Sequence, residues 1–184
     1  MSLVVITGIQ AAGKSTVAQA LAQRLPRSVH LRGDLFRRMI VNGRVDMGPV
    51  DPGPEAIRQL HLRYQLAVDV ADRYAAAGFS VVMQDIILGA DLARVVDRIQ
   101  TRPVAVVVLA PRADVVRDRD AERRRRLGKV AYEPGDQDVA DLDMVLRTRT
   151  PRMGLWIDTS DLSVEQTTDQ ILKQLDSQAT VRRQ

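Results

Sequence analysis

The sequence predicts an α/β domain: a parallel β-sheet covered by helices on both faces. Two observations carry that expectation. Short apolar runs, most of them apolar on both faces, recur between longer segments of helical period. The first of these runs leads straight into a glycine-rich turn that opens a helix. The 184 residues suit one domain of ordinary size, and 45% apolar with 27% charged residues supports a folded core.

Residues 3–6 read as a buried strand ending at Thr7-Gly8, and residues 13–25 as a helix with Val17, Leu21 and Leu25 on one stripe. Residues 29–31 form a second strand that stops at Arg32-Gly33-Asp34, followed by a helical turn over 35–40. Gly and Pro punctuate 42–54, which reads as loop. Pro54 then starts a long helix, with Ile57, Leu60, Tyr64, Val68 and Ala71 at packing intervals, ending near Gly78. Residues 79–83 are a third strand and 91–99 a helix. Residues 104–110, an almost unbroken β-branched run, are a fourth strand. A very basic helix follows from 111 to about 127, then an irregular stretch to 137, a helix over 139–149 and a fifth strand at 155–157. Ser163-Val164-Glu165-Gln166 is a capping box opening the last helix. No repeat or linker divides the chain, so residues 1–176 are expected to form one domain, with 177–184 as a frayed tail.

Several function classes are excluded early. Cysteine is absent, which removes disulfides, thiolate metal sites and a cysteine nucleophile together. The two histidines, His30 and His61, have no ligand spacing. No apolar run reaches the ~18 residues that span a bilayer, and residues 1–6 read as a strand and not as a signal peptide. A cytoplasmic protein with no membrane partner is expected. The net charge is +4 with pI about 9.9, and only three of the 27 basic residues are lysine. Such an arginine bias suits bidentate phosphate and carboxylate contacts, and a GC-rich genome produces it equally. With 3% aromatics there is no stacking platform for single-stranded nucleic acid, so nucleic acid is not the expected partner.

The most specific signal is Gly8-Ile9-Gln10-Ala11-Ala12-Gly13-Lys14-Ser15, which fits G-x-x-x-x-G-K-[ST] without mismatch. A strand delivers the chain to a turn whose backbone N–H groups can curl around an anion, and the following helix points its positive end at it. Gly8, Gln10, Ala11, Ala12, Gly13, Lys14, Ser15 and Thr16 are the expected nucleotide contacts, with Lys14 reaching the β- and γ-phosphates and Ser15 binding Mg²⁺. Ring and motor ATPases need modules for which this length has no room. A GTPase would read its base with Asn-Lys-x-Asp, where this chain has Pro111-Arg112-Ala113-Asp114.

In a parallel sheet the strand C-termini face the ligand crevice, which brings Asp34 beside the phosphate loop. There it can take the proton of an attacking hydroxyl, or it is simply the N-cap of the next helix. Arg37 shares its side and can orient that carboxylate or bind an anionic group on the acceptor. Asp85 closes the third strand, where it can hold Mg²⁺ through water, position the acceptor or cap a turn; Gln84 can hydrogen-bond the acceptor. The charged helix gives a lid over about 112–137, with Arg119 and Arg123, at i,i+4, chosen as the arginines over the migrating phosphoryl group. Arg117 and Arg124 remain alternatives, and Lys129 and Tyr132 can follow them into the closed site. Asp158-Thr159-Ser160-Asp161, the loop after the fifth strand, borders the expected base position. Trp156 and Met39, Met47 and Met83 read as packing or pocket lining.

These motifs make the chain resemble the small P-loop kinases of the adenylate-kinase-like group, and above all their chloramphenicol-phosphotransferase-like branch. The likeness rests on the phosphate loop, the Asp34 region, Gln84-Asp85, Arg119-Asp120-Ala121-Glu122-Arg123 and Gly154-Leu155-Trp156-Ile157-Asp158-Thr159-Ser160. It implies a three-layer P-loop NTPase fold with a five-stranded sheet in 2-3-1-4-5 order. It also implies ATP- and Mg²⁺-dependent phosphorylation of a hydroxyl, with Asp34 as base. Asp34-Leu35-Phe36-Arg37 is similar as well to the Asp-x-x-Arg of polynucleotide 5′-kinases and zeta-toxin-like kinases, and to the Gly-Asp-Met-Leu-Arg of adenylate kinases. The leading expectation is a monomeric or homodimeric kinase acting on a small-molecule hydroxyl, such as that of an antibiotic or metabolite. A nucleotide or polynucleotide 5′-hydroxyl kinase and a non-catalytic nucleotide-dependent binding protein are the alternatives.

Overall fold

In the computed structural model, residues 3–47, 52–128, 139–175, 177 and 179–181 are described. The five apolar runs become β1 (Leu3–Thr7), β2 (Ser28–Arg32), β3 (Ser80–Gln84), β4 (Val104–Leu109) and β5 (Leu155–Ile157). They lie parallel in the order β2-β3-β1-β4-β5. Every residue of β1, β3 and β4 is buried, as expected for inner strands covered on both faces, whereas β2 at the edge is only partly so.

The helices are α1 (Lys14–Arg24), α2 (Asp34–Arg38), α3 (Pro54–Ala76), α4 (Ala90–Arg98), α5 (Ala113–Leu127), α6 (Val139–Met144) and α7 (Val164–Gln174). A π-helical turn over Val145–Arg149 extends α6. α1 packs on α7 and β3, and α3 on α4 and β3, giving the three layers. α1 buries Val17, Ala18, Leu21 and Ala22. Lys14 lies one turn before Val17 on that stripe and is drawn into the interior with it. On α3 the buried stripe runs through Ala56, Tyr64, Ala67, Val68 and Ala71, so Ile57, expected inside, is displaced toward solvent by its neighbour Ala56. The capping box of α7 forms: Gln166 N–H donates to Ser163 Oγ at 3.1 Å, and Ser163 N–H to Gln166 Oε1 at 2.9 Å.

One expectation is corrected. The tail taken to fray from residue 177 adds a sixth strand, β6 (Thr180–Val181), antiparallel to β4. The cause is the shortness of β5, which covers only Val107–Leu109 of its neighbour. β6 takes the rest of that edge, opposite Val104 and Ala105, and Val106 N–H donates to Ala179 O at 2.8 Å. An open ladder edge in the core is thereby paired. Of the expected lid, Lys129 and Tyr132 lie outside the described residues.

Candidate active site

The carboxyl ends of β1, β2 and β3 and the N-terminus of α1 open into one cleft of about 1320 Å³. Gln10, Ala11, Ala12, Gly13, Lys14, Ser15 and Thr16 line it, as do Asp34, Arg37, Gln84, Asp85, Arg119 and Arg123. Of the contacts chosen from the sequence for nucleotide, cation, acceptor and phosphoryl group, Gly8 is the one that does not line the cleft. Gly8 sits beneath the loop at φ +147°, where a Cβ would stand 2.4 Å from Leu109 O; it lets the loop leave β1 tight against β4.

Above it the chain turns through Ala11 at φ 56° and Gly13 at φ 93° into α1. The first N–H groups of a helix have no intrahelical acceptor, and Gly13, Lys14 and Ser15, which carry them here, line the cleft. Lys14 Nζ donates to Ile9 O at 2.7 Å, which folds the ammonium over the loop. Burial pushes it down to about 8, against the pull of Asp85 and Asp34; Arg63 and Arg123 add to the lowering. Two carboxylates and two guanidiniums thus surround one lysine.

Asp34 is not an N-cap. Gly33 holds the cap position of α2 with no side-chain capping bond, and Asp34 is the first helical residue. Its Oδ2 pairs with Arg38 at 3.0 Å and Arg32 at 3.4 Å, while its Oδ1 is buried without a partner. Arg37, expected beside this carboxylate, instead donates from Nε to Asp46 Oδ1 at 2.6 Å across the cleft. The i+4 residue, Arg38, is the one that follows Asp34 along the helix.

Asp85 is almost fully buried. Arg63 Nη2 donates to its Oδ1 at 2.7 Å and Ile86 N–H to the same oxygen at 2.8 Å, while Oδ2 has no partner. Burial raises its carboxyl and the Arg63 guanidinium pulls it back. Gly33 is what lets Asp85 sit there: a Cβ on it would stand 2.0 Å from Asp85 Oδ2. Gly33 N–H also donates to Gln84 O at 3.0 Å, so the ends of β2 and β3 are tied together. Thr7 pins the loop beyond, accepting from Ile87 N–H at 2.9 Å and donating to Ile87 O at 2.8 Å.

On the opposite wall, Arg119 Nη2 donates to Thr159 O at 2.6 Å, which joins α5 to the loop after β5. Arg123 and Arg126 line the cleft on the same side as Arg119, whereas Arg117 and Arg124 do not. Met47 lines the cleft and Met83 is core, but Met39 is 72% exposed and outside the cleft. Trp156 is half-buried, with the Arg152 guanidinium 4.0 Å from its ring centre.

Sequence reasoning missed Arg32, Arg38 and Arg63. Arg63 falls inside a helix read for its packing stripe, and its partner is 22 residues away on another element. The oxygens fitted to a hard cation are the Ser15 hydroxyl, exposed at the head of α1, and Asp85 Oδ2. Among the described residues no group of three or more His, Asp or Glu side chains could hold an ion, so such a cation would share its ligands with phosphate.

The profile of the AAA domain family matches residues 3–148. The chain belongs to that family. The match runs from β1 to the π-helical turn and includes the phosphate loop, Asp34, Asp85 and the arginines of α5. No curated protein sequence matches the chain. Among solved structures, a sugar kinase from Janibacter sp. HTCC2649 is similar at TM-score 0.72 and 21% identity, over 96% of this chain and 95% of that one. The APS kinase of Mycobacterium tuberculosis, in complex with AMPPNP and APS, is similar at TM-score 0.66 and 16% identity, over 96% and 98%. The tunicamycin resistance protein of Deinococcus radiodurans is similar at TM-score 0.61 and 19% identity, over 99% of both. At these identities the likeness is one of fold: a P-loop kinase fold.

Proposed function

We propose that this protein is a kinase that moves the γ-phosphoryl group of ATP to a hydroxyl of a small molecule, as its resemblance to the chloramphenicol-phosphotransferase-like branch implies. The observation that carries this reading is the convergence of Lys14, Asp34, Asp85 and Arg123 on one cleft at the strand C-termini. The loop amides and Lys14 hold the polyphosphate, and Arg119 holds the nucleotide near Thr159. Mg²⁺, held by Ser15 and Asp85, would neutralise charge on the phosphate oxygens.

Asp34 Oδ1 takes the proton of the acceptor hydroxyl as that oxygen bonds to the γ-phosphorus. The bond from the γ-phosphorus to the β–γ bridging oxygen breaks, and ADP leaves with that oxygen. Arg38 and Arg32 hold Asp34 Oδ2 and so orient the carboxylate for the task. Arg123 faces the charge that develops on the transferring group.

The test is ADP release over a panel of hydroxylated sugars, sugar acids, antibiotics and nucleosides. With the best acceptor, Asp34→Asn is expected to lower kcat ~10²–10⁴-fold while leaving ATP affinity within a few-fold. An Asp34→Asn variant with normal turnover removes Asp34 from the role of base.

A further inference from the structure

Four polar side-chain atoms of residues that line the cleft are buried and have no partner: Asp34 Oδ1, Asp85 Oδ2, Arg32 Nε and Arg63 Nε. The carboxylate oxygens are already assigned above, to the acceptor hydroxyl and to the cation. The two guanidinium N–H groups are not. We propose that they form an anion subsite, and that the acceptor is a hydroxy compound carrying a carboxylate or a phosphate bound there.

The geometry of the neighbours supports this. β2 and β3 pair with Arg32 opposite Gln84, and Arg63 binds the next residue, Asp85. Both guanidiniums are therefore anchored at the same pair of strand ends, Arg32 on Asp34 and Arg63 on Asp85, and both residues line the cleft. Arg63 is only 13% exposed, held between Asp85 and the ring of Tyr64, whose centre is 5.5 Å away. Its direction is fixed before any ligand arrives. Arg32 and Arg38 pair with Asp34, Arg63 with Asp85, and Arg37 and Arg44 with Asp46 at 2.6 and 3.6 Å. Among the described residues, Arg32 and Arg63 are the arginines that keep a buried Nε without a partner. A guanidinium N–H buried without an acceptor is costly, and an anionic oxygen makes a stronger, charge-assisted bond to it than a neutral acceptor does. The phosphates of the nucleotide have their own donors in the loop amides, Lys14 and α5. What remains beside Asp34 suits the acceptor.

This inference rests on the kinase reading for the word acceptor, but the subsite can be measured without turnover. Calorimetry on the full chain compares a hexonate with the corresponding hexitol, and a hexose 6-phosphate with the free hexose, each without nucleotide. The expected result is that one anion binds ~10–100-fold more tightly than its uncharged partner. That preference falls ~10-fold or more in Arg63→Gln and Arg32→Gln, yet survives in Lys14→Met. Preference for the acid or for the ester tells which anion the subsite accepts. Arg32 is half exposed, so Arg32→Gln carries the test should Arg63→Gln fail to fold.

Equal binding of the uncharged compounds overturns the proposal. So does the absence of anion binding at millimolar concentration, or binding abolished by Lys14→Met but indifferent to Arg63 and Arg32. Phosphorylation of a neutral acceptor in preference to its charged analogue would overturn it and leave the kinase reading standing. Arginine-dependent anion binding with no transfer to any acceptor would do the reverse.

Discussion

Burial holds the Lys14 ammonium at a pKa of about 8, against an ordinary lysine value of 10.5. The difference amounts to about 3 kcal/mol against the charged form. Below about pH 8 the side chain is protonated in both folded and unfolded chains, and the full penalty is present. Between about 8 and 10.5 the folded lysine sheds its proton while the unfolded one keeps it, so this residue makes stability rise with pH. At neutral pH the phosphate loop is thus less stable than its packing allows, and a bound polyanion offsets the deficit. Two outcomes follow. Lys14→Met should raise the unfolding free energy at pH 7 by roughly 1–3 kcal/mol in denaturant titration, while abolishing ATP binding. Nucleotide binding to the native protein should take up a proton between about pH 8 and 9, visible as a dependence of calorimetric heat on buffer ionisation enthalpy, and ATP affinity should fall as pH rises through that range. The residue level is also where the sequence was least informative. The phosphate loop could be read because its geometry is local. The partnership of Arg63 with Asp85, and the contact that requires Gly33, depend on β2 and β3 ending side by side, which no spacing along the chain encodes.

The elements themselves were nearly all legible, because each is short and its pattern of burial is regular. The β-branched run of β4 and the stripe of α1 have one reading each. α2 was harder: within a helix of five residues, one-residue differences decide which arginine follows Asp34 and which reaches Asp46. α5 poses the same question in a longer helix. Its arginines at 117, 119, 123, 124, 125 and 126 are indistinguishable by composition, but Val116 and Asp120 are buried, and that fixes the rotation of the helix. Arg119, Arg123 and Arg126 then face the cleft. Alanine at Arg123 should lower kcat ~10²–10³-fold with little change in KM for ATP, the signature of a contact made in the transition state. Alanine at Arg124 should leave both constants within about twofold. Steady-state kinetics on the two variants decides between this rotation and one that carries Arg124 inward.

At the scale of the molecule, function and stability are placed at opposite ends of the sheet. The cleft occupies the carboxyl ends of the strands, and β6 closes the ladder at the amino end of β4. The sequence could not show that closure: two residues, Thr180 and Val181, have no period, and their role follows from the three-residue length of β5. Removing residues 179–184 should leave Val106 N–H and the neighbouring ladder groups buried and unpaired, and should withdraw Ala179, which is fully buried. Each such group costs ~1–3 kcal/mol, so a loss of ~2–5 kcal/mol is expected. In a chain of this size that lowers Tm by roughly 5–15 °C. Below the transition the truncated protein should bind ATP and turn over acceptor as the whole chain does, since Ala179, Thr180 and Val181 do not line the cleft and β6 pairs with the amino end of β4. Thermal melting and kinetics on the same preparation separate the two effects. A truncation that loses activity while keeping its Tm would mean that the strand ends around Gly33 and the distal edge of β4 are coupled through β1, and that the sheet is not the rigid platform on which Asp34, Lys14 and Arg123 are set.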